Sequence, residues 1–588
     1  MKRKSNYLSY VLLSLFLAYL FNRIAWLYYS QTSPNAAALL SAFTDSLTSI
    51  QERPFFLSLR RECLLASLPG LVAGALAYCY FVLAAPERRP GEEYGSAKWG
   101  TVQDAKLYRS KKSPERDIIL TQNVRLNLFA DELDFEHRKN ANVAVVGGSG
   151  SGKTYSINLP NLLQCHSSYV VTDPKGTLLP EVGGMLLQNG YRLAVLNTVN
   201  FSKSMHYNPL AYIRDENDIL KIITVLMENT TGKDERSGER FWIDSEKLLY
   251  QAFIGWLISS VVPEDRNLGN LLTMIRTCQV REEDPDYINP VDVMFYELEQ
   301  QDPGNFAVAQ YHTFKLSAGK TAKSILITAG SRLSVFAIPK VRELVSTDEL
   351  HLDKIGDEKT AFFIIVSDTS NTFDFLVAMV ISQMFNLLCS HADDDCGGRL
   401  PIPVRCILDE FATCIGKLPD FERLIATIRS RDISVTLLVQ SLAQIQSLYK
   451  DDADTITDCC DTMVFLGGKS QKTTKAISET LGKGTIVNRN TSESKGQQGS
   501  YQLQDQGAGR ELLDAAEVGK IRMSQALVIM TGEKPFLDQK YNTKAHPRYK
   551  ELASVTHQRF DAASYVQGLR AAKEKPVPAP DLSELNKL

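Results

Sequence analysis

The sequence predicts an α/β protein: a parallel sheet with helices on both faces, built around a phosphate-binding loop. An all-α insertion and two N-terminal transmembrane helices complete it. Three observations carry this prediction. A short apolar run, Val143 to Val146, leads straight into a glycine-rich loop ending in Lys153-Thr154. Further β-rich apolar runs recur down to Met530, most of them separated by helical stretches. Two long apolar segments open the chain.

The first of these runs from about Tyr7 to Tyr29, apolar from Leu8 to Phe21, interrupted by Asn22 and Arg23. Trp26, Tyr28 and Tyr29 then form an interfacial belt. Its rival reading is a cleaved signal peptide ending near residues 35–38, for which the segment is long. The second, Cys63 to Ala85, has 23 residues and no charge. At about 1.5 Å per residue it would be about 34 Å long, enough for a hydrocarbon core. Lys2, Arg3 and Lys4 before the first span, and Arg88 and Arg89 after the second, favour a cytoplasmic N-terminus. Arg53, Arg60 and Arg61 in the short outer loop weaken that argument, and a domain using cytoplasmic nucleotide supports it. Residues 1–88 are therefore expected to anchor a multi-pass protein in the cell membrane, with the remainder in the cytoplasm.

Residues 89–211 hold the first part of the nucleotide-binding domain. Gly147-x-x-x-x-Gly152-Lys153-Thr154 is a complete phosphate-loop pattern after a buried strand and before a helix. Its glycines, with Gly150 and Ser151 inside the loop, let backbone N–H groups converge on phosphates. Lys153 is expected to reach the β- and γ-phosphates of ATP, and Thr154 to ligate Mg2+. Strands at Tyr169 to Thr172 and Leu193 to Leu196 follow. From 212 to 316 the strand signal vanishes and helical periodicity takes over, which predicts the all-α insertion. A charged, glycine-containing stretch at 232–240 and a loop at Asp284 to Pro290 interrupt it. A second Gly-Lys-Thr at 319–321 lacks the first glycine and the preceding strand, so it is rejected. LSAGK at 316–320 is rejected as an ABC-type transport signature because it lies far from the acidic motif.

Residues 317–550 complete the domain, with strands at Phe362 to Val366, Val404 to Leu408, Ile433 to Val439, Thr462 to Leu466 and Ala526 to Met530. Val404 to Leu408 ends in Asp409-Glu410, at the strand edge where ligands bind in open sheets. Asp409 is the candidate partner of Mg2+, and Glu410 the candidate general base for water. Gln440, at the end of the next strand, suits a sensor of the γ-phosphate or water. Arg429 or Arg431 suits a finger donated to a neighbour's nucleotide. Residues 488–509 are polar and read as a mobile loop. His391 with Asp393 to Asp395 reads as a solvated helix end rather than a metal site. The extension 551–588 carries Pro576, Pro578 and Pro580 in an extended tail.

Composition bounds the alternatives. The 588 residues are 44% hydrophobic and 23% charged, which excludes wholesale disorder. A net charge of −3 excludes a uniformly basic DNA-wrapping surface, though not a local basic channel. Ten cysteines without a C-x-x-C pair point to a reducing compartment and to no zinc site.

In this order the motifs resemble the TraG/TraD-type coupling proteins of conjugative type IV secretion. The resemblance rests on the two-span anchor, GGSGSGKT, TDPKG at 172–176, YNPL at 207–210, FWID at 241–244, ILDEFATCIGKLPDFERLI at 407–425, Gln440 and GRELLDAAEV at 509–518. It implies a RecA-like motor with an all-α insertion, assembled as a membrane-anchored ring, a homo-hexamer. Such a ring links relaxase and single-stranded DNA to the secretion channel, with Arg429 as the finger in trans and Gln440 as the sensor. The short tail lacks the large recruitment domain of some relatives, which leaves relaxase recognition open. A competing reading is a docking receptor for secreted proteins that nucleotide merely switches.

Overall fold

The computed structural model describes residues 7–32, 35–83, 92–231, 240–281, 284, 287–317, 319–493 and 501–574. Lys2 to Lys4, Arg88, Arg89, the stretch 232–239, part of the loop after Asp284 and the prolines of the tail lie outside them. The chain divides into two compact units, Met1–Glu93 and Tyr94–Leu588.

In the first unit, α1 (Tyr7–Tyr29) and α3 (Arg61–Leu83) are the two expected apolar helices. They pack antiparallel through small residues. Gly70 lies against the backbone of Leu17 and Ala18, and Gly74 against Ser14, so a Cβ at either position would collide. The supposed short outer loop contains a helix, α2 (Ala36–Glu52), started by the Asn35 side chain, which accepts from the Ala38 N–H. Asn22 and Arg23, expected only to interrupt the first span, hold this connection. Arg23 is fully buried and its Nη2 donates to the carbonyls of Ser49 and Arg53. Asn22 Nδ2 donates to the Ser58 and Cys63 carbonyls, both at 3.1 Å.

Among its described residues the second unit has thirteen strands, of which β1 (Asp117–Ile119) and β2 (Arg125–Asn127) pair as a small antiparallel ribbon. Then come β3 (Val143–Val146), β4 (Ser168–Asp173), β5 (Arg192–Asn197), β6 (Thr360–Ile365), β7 (Val404–Leu408), β8 (Ile433–Val439) and β9 (Thr462–Phe465). After these follow β10 (Lys483–Glu493), β11 (Tyr501–Glu511), β12 (Gln525–Met530) and β13 (Phe536–Gln539). The main sheet runs β13-β12-β9-β3-β8-β7-β4-β6-β5. Its strands from β9 to β5 are mutually parallel. Buried apolar clusters cover both faces, as near-continuous β-branched strands require.

Two expectations need correction. The strand at Ala526 to Met530 joins the sheet antiparallel to β9, with β13 folding back beside it. A five-residue turn, 531–535, joins β12 to β13, too short for the crossover that parallel pairing needs. The supposed mobile loop at 488–509 belongs to a long antiparallel hairpin, β10 with β11, whose residues 494–500 lie outside the described ones. It pairs only with itself and a bridge at Ser96, so its sequence has no apolar face to advertise it.

Between β5 and β6 the described residues form helices and no strand. These run from Glu216–Thr230 to Pro339–Leu344, past residue 316. Phe253, Phe295 and Tyr311 stack at the centre of this region, the last two with centroids 3.9 Å apart. The second Gly-Lys-Thr merely opens the helix Gly319–Arg332. A third helix as long and apolar as the membrane spans, Asp374–Asp394, is buried within the sheet unit.

Candidate active site

Strand β3 delivers the glycine loop to the C-terminal edge of the sheet. Gly150 and Gly152 adopt φ of 75° and 86°, a region where side chains cost energy. The loop is tied to its neighbours: Gly147 N–H donates to the Val439 carbonyl at 3.0 Å and Gly148 N–H to Gly467 at 2.9 Å. Lys540, just after β13, adds a tie that no motif in the sequence announces. Its Nζ donates to the carbonyls of Ser151 and Leu466, both at 2.8 Å. Burial pushes its pKa down. Thr543 similarly donates to the Tyr155 carbonyl. The helix after the loop opens with a wide turn, Thr154–Asn158, in which Leu159 N–H bonds back to Thr154. Pro160 follows within that helix and has no N–H to offer.

β7 carries Asp409 and Glu410 to the same edge. Asp409 is buried, and its carboxylate accepts from the Glu410 N–H at 3.0 Å and from Asn158 Nδ2 at 2.9 Å. Burial pushes its pKa up, and the positive charge of Lys153 opposes this. Glu410 sits at φ 51°, left-handed for a non-glycine residue, which turns its side chain toward the loop. There Lys153 Nζ donates to Glu410 Oε1 at 2.9 Å. Gln440 Nε2 lies 3.3 Å from each Glu410 oxygen. Asp173, from the TDPKG segment, accepts the Leu178 N–H at 2.7 Å and so caps the next helix beside the loop.

Loop, acidic pair and Gln440 line one open cleft of about 480 Å³, together with Asp173, Lys175 and Tyr155. That volume fits a nucleoside triphosphate. Asn158 Oδ1 and Ser151 Oγ are buried beside it without a partner in the protein. Thr154 and Asp409 could hold a divalent cation, and Asn158 would orient Asp409 from behind. Asn158 lies one turn beyond Thr154 on the same helix, a spacing the sequence shows but that was not read as part of the site.

The arginines are elsewhere. Arg429 and Arg431 lie on the turn Ile428–Arg431, which enters β8 at the end opposite Gln440. Seven extended residues separate the two ends, about 23 Å at about 3.3 Å each. Arg431 forms a two-pronged ion pair with Asp393, at 2.9 and 2.6 Å. Arg429 is exposed and lines a separate cavity of about 770 Å³ with Arg116, Lys139 and Arg399.

The family described as Type IV secretory system Conjugative DNA transfer matches residues 93–556. A conjugal transfer protein TraG of Rhizobium radiobacter is 24% identical over 400 residues, covering 66% of this chain and 60% of its own length. A TraG of Agrobacterium fabrum is 24% identical over 489 residues, covering 77% of this chain and 71% of its own. VirD4 of Rhizobium radiobacter is 23% identical, covering 66% of this chain and 55% of its own. The chain thus spans about three fifths of the first of these relatives. Among solved structures, the bacterial conjugative coupling protein TrwBdeltaN70 superposes with a TM-score of 0.56 at 15% identity, over 78% of this chain and 96% of that one. TrwB in complex with the ATP analogue ADPNP gives 0.52 at 16% identity, over 78% and 96%. These likenesses establish the shared fold. With most of its length matched, the chain belongs to the type IV secretory system conjugative DNA transfer family.

Proposed function

We propose that this protein is a membrane-anchored ATPase that couples relaxase-bound single-stranded DNA to a type IV secretion channel and drives its transport. The carrying observation is the convergence of Lys153, Asp409, Glu410 and Gln440 in one cleft, from segments up to 287 residues apart. Bound ATP with Mg2+ supplies the phosphoanhydride and the metal's charge. Lys153 leaves Glu410 to neutralise the β- and γ-phosphate oxygens, while Thr154 and Asp409 hold the metal. Glu410, released from Lys153, takes the proton of the attacking water, and Gln440 keeps that carboxylate and the water aligned.

Arg429 completes the site from the neighbouring subunit. Two features support this: its own cleft is about a strand length away, and its guanidinium, unlike that of Arg431, has no carboxylate partner among the described residues. Such a site needs a closed ring, a hexamer in this reading. In this reading the ring is anchored in the cell membrane with the sheet unit in the cytoplasm, which the two N-terminal candidate spans support. DNA would be held by its phosphates, without sequence preference and with strong salt dependence. The domain limits in this reading are 1–88 for the anchor, 89–211 and 317–550 for the nucleotide-binding halves, 212–316 for the insertion, whose helical character continues to Leu344, and 551–588 for the extension.

The test is a pair of variants in membranes. Lys153→Ala should abolish hydrolysis and DNA transfer while the protein still reaches the membrane. Glu410→Gln should retain nucleotide and stall. Normal transfer with hydrolysis blocked would instead identify a nucleotide-switched docking receptor for secreted proteins.

A further inference from the structure

At the N-terminal edge of the sheet, three side chains of different chemistry meet. Asp357 lies in the turn before β6, His391 in the last turn of the helix Asp374–Asp394, and Cys396 just beyond that helix. One donor atom from each falls within 4.8 Å of the other two. His391 Nε2 is 2.7 Å from Asp357 Oδ1 and 3.4 Å from Cys396 Sγ. The other ring nitrogen, Nδ1, is 2.8 Å from Asp395 Oδ2. Along the sequence His391 stands beside Asp393 to Asp395, the pattern of a solvated helix end. Asp357 and Cys396 change the chemistry of the group.

We propose that Asp357, His391 and Cys396 form a binding site for a zinc-class divalent transition metal, with Asp395 as the outer carboxylate that orients His391. The argument is one of replacement. A ring N–H aimed at a carboxylate needs no thiol beside it, yet here one nitrogen faces both an oxygen and a sulfur. A metal taking the place of that proton would be met by nitrogen, sulfur and oxygen, a usual donor set for zinc, with water as a fourth ligand. Tetrahedral bonds of about 2.0 Å to N and O and about 2.3 Å to S separate the donors by about 3.3 to 3.6 Å. Asp357 needs to retreat by only about 0.6 Å to reach that spacing, and Cys396 by less. The carboxylate on Nδ1 is the customary support of a metal-bound histidine. One thiolate and one carboxylate around a neutral imidazole balance the charge of a divalent ion. Lys354 faces the other Asp357 oxygen at 3.6 Å, which leaves Oδ1 for the metal.

The placement has a mechanical consequence. A metal here would fasten the turn before β6 to the end of the helix that also carries Asp393, the partner of Arg431. The site would thus brace the edge from which Arg429 projects.

The experiment titrates the full-length chain in detergent, with ATP and Mg2+ present to occupy the cleft, using Co2+ and then Zn2+. We expect one Co2+ per chain, with a thiolate-to-cobalt charge-transfer band and the intense visible bands of four-coordinate cobalt, both bleached by Zn2+. Cys396→Ser should remove the charge-transfer band, and Asp395→Asn should weaken Zn2+ binding by about 10- to 100-fold against a competing chelator. If Cys396→Ser does not fold, Cys396→Ala carries the same comparison. Absence of a thiolate band, or a band that survives loss of Cys396, would overturn the proposal.

Discussion

The two edges of the main sheet differ in what they hold and in how tightly they hold it. At the C-terminal edge, Lys153, Asp409, Glu410 and Gln440 are interlocked by hydrogen bonds of 2.9 to 3.3 Å. At the N-terminal edge, Arg429 is exposed while Arg431 is bound to Asp393. On the proposed mechanism the first edge supplies the groups for hydrolysis except a mobile cation, and the second supplies Arg429. Stacking such sheets edge to edge in the proposed ring would bring the arginine of one subunit to the cleft of the next.

The largest expected effect breaks that pairing. Arg429→Ala should lower kcat about 10³-fold or more, as loss of an arginine finger does. Mixing Arg429→Ala with Glu410→Gln chains should restore part of the activity, since some interfaces then carry both intact groups. Steady-state hydrolysis across mixing ratios measures this, and a flat response would place the arginine outside the reaction. Next comes the support of the acidic pair. Asn158→Ala should weaken the Mg2+ dependence of hydrolysis about 10-fold, read as the Mg2+ concentration for half-maximal rate, with ATP binding retained. Arg431→Ala sharpens the contrast between the arginines: it should change kcat by less than about threefold, because Asp393 already occupies its guanidinium.

The smallest effect concerns stability. Burial pushes Asp374, at the start of its helix, up to about pH 6. A carboxyl raised above its unfolded value destabilises the fold only when charged. The penalty is absent below about pH 4, grows to about pH 6 and is full above it. Partial exposure reduces it to about 1 kcal/mol. Asp374→Asn should therefore raise the thermal midpoint at pH 7.5 and leave it nearly unchanged at pH 4. An equal shift at both pH values would refute the assignment.

Much of the nucleotide edge was legible because its signals are local. Strands such as Val143 to Val146 are buried along their whole length, so an unbroken apolar run marks them, and Val404 to Leu408 stays mostly apolar despite its buried Arg405, with the acids following directly. Gln440 was legible as the residue after β8. Lys540 was not, because it reaches the loop from 389 residues away and a lone lysine has no pattern. The direction of β12 was hidden too, since an apolar run fits either orientation. The hairpin β10–β11 was hidden because its polar sequence shows no apolar alternation. Asp357 and His391 stand 34 residues apart, and only folding makes them neighbours.

The helix Asp374–Asp394 carries a further cost for the chain that makes it. By length and hydropathy it is as fit for lipid as the two anchor helices, yet it ends up inside the sheet unit. When it leaves the ribosome, β7, β8 and β9 do not yet exist to claim it. If the nascent chain is tethered at the bilayer as proposed, it must shelter this segment from the insertion machinery until those strands are made. Chains truncated near residue 400 should then insert it as an extra span detectable by protease protection, whereas the complete chain should not.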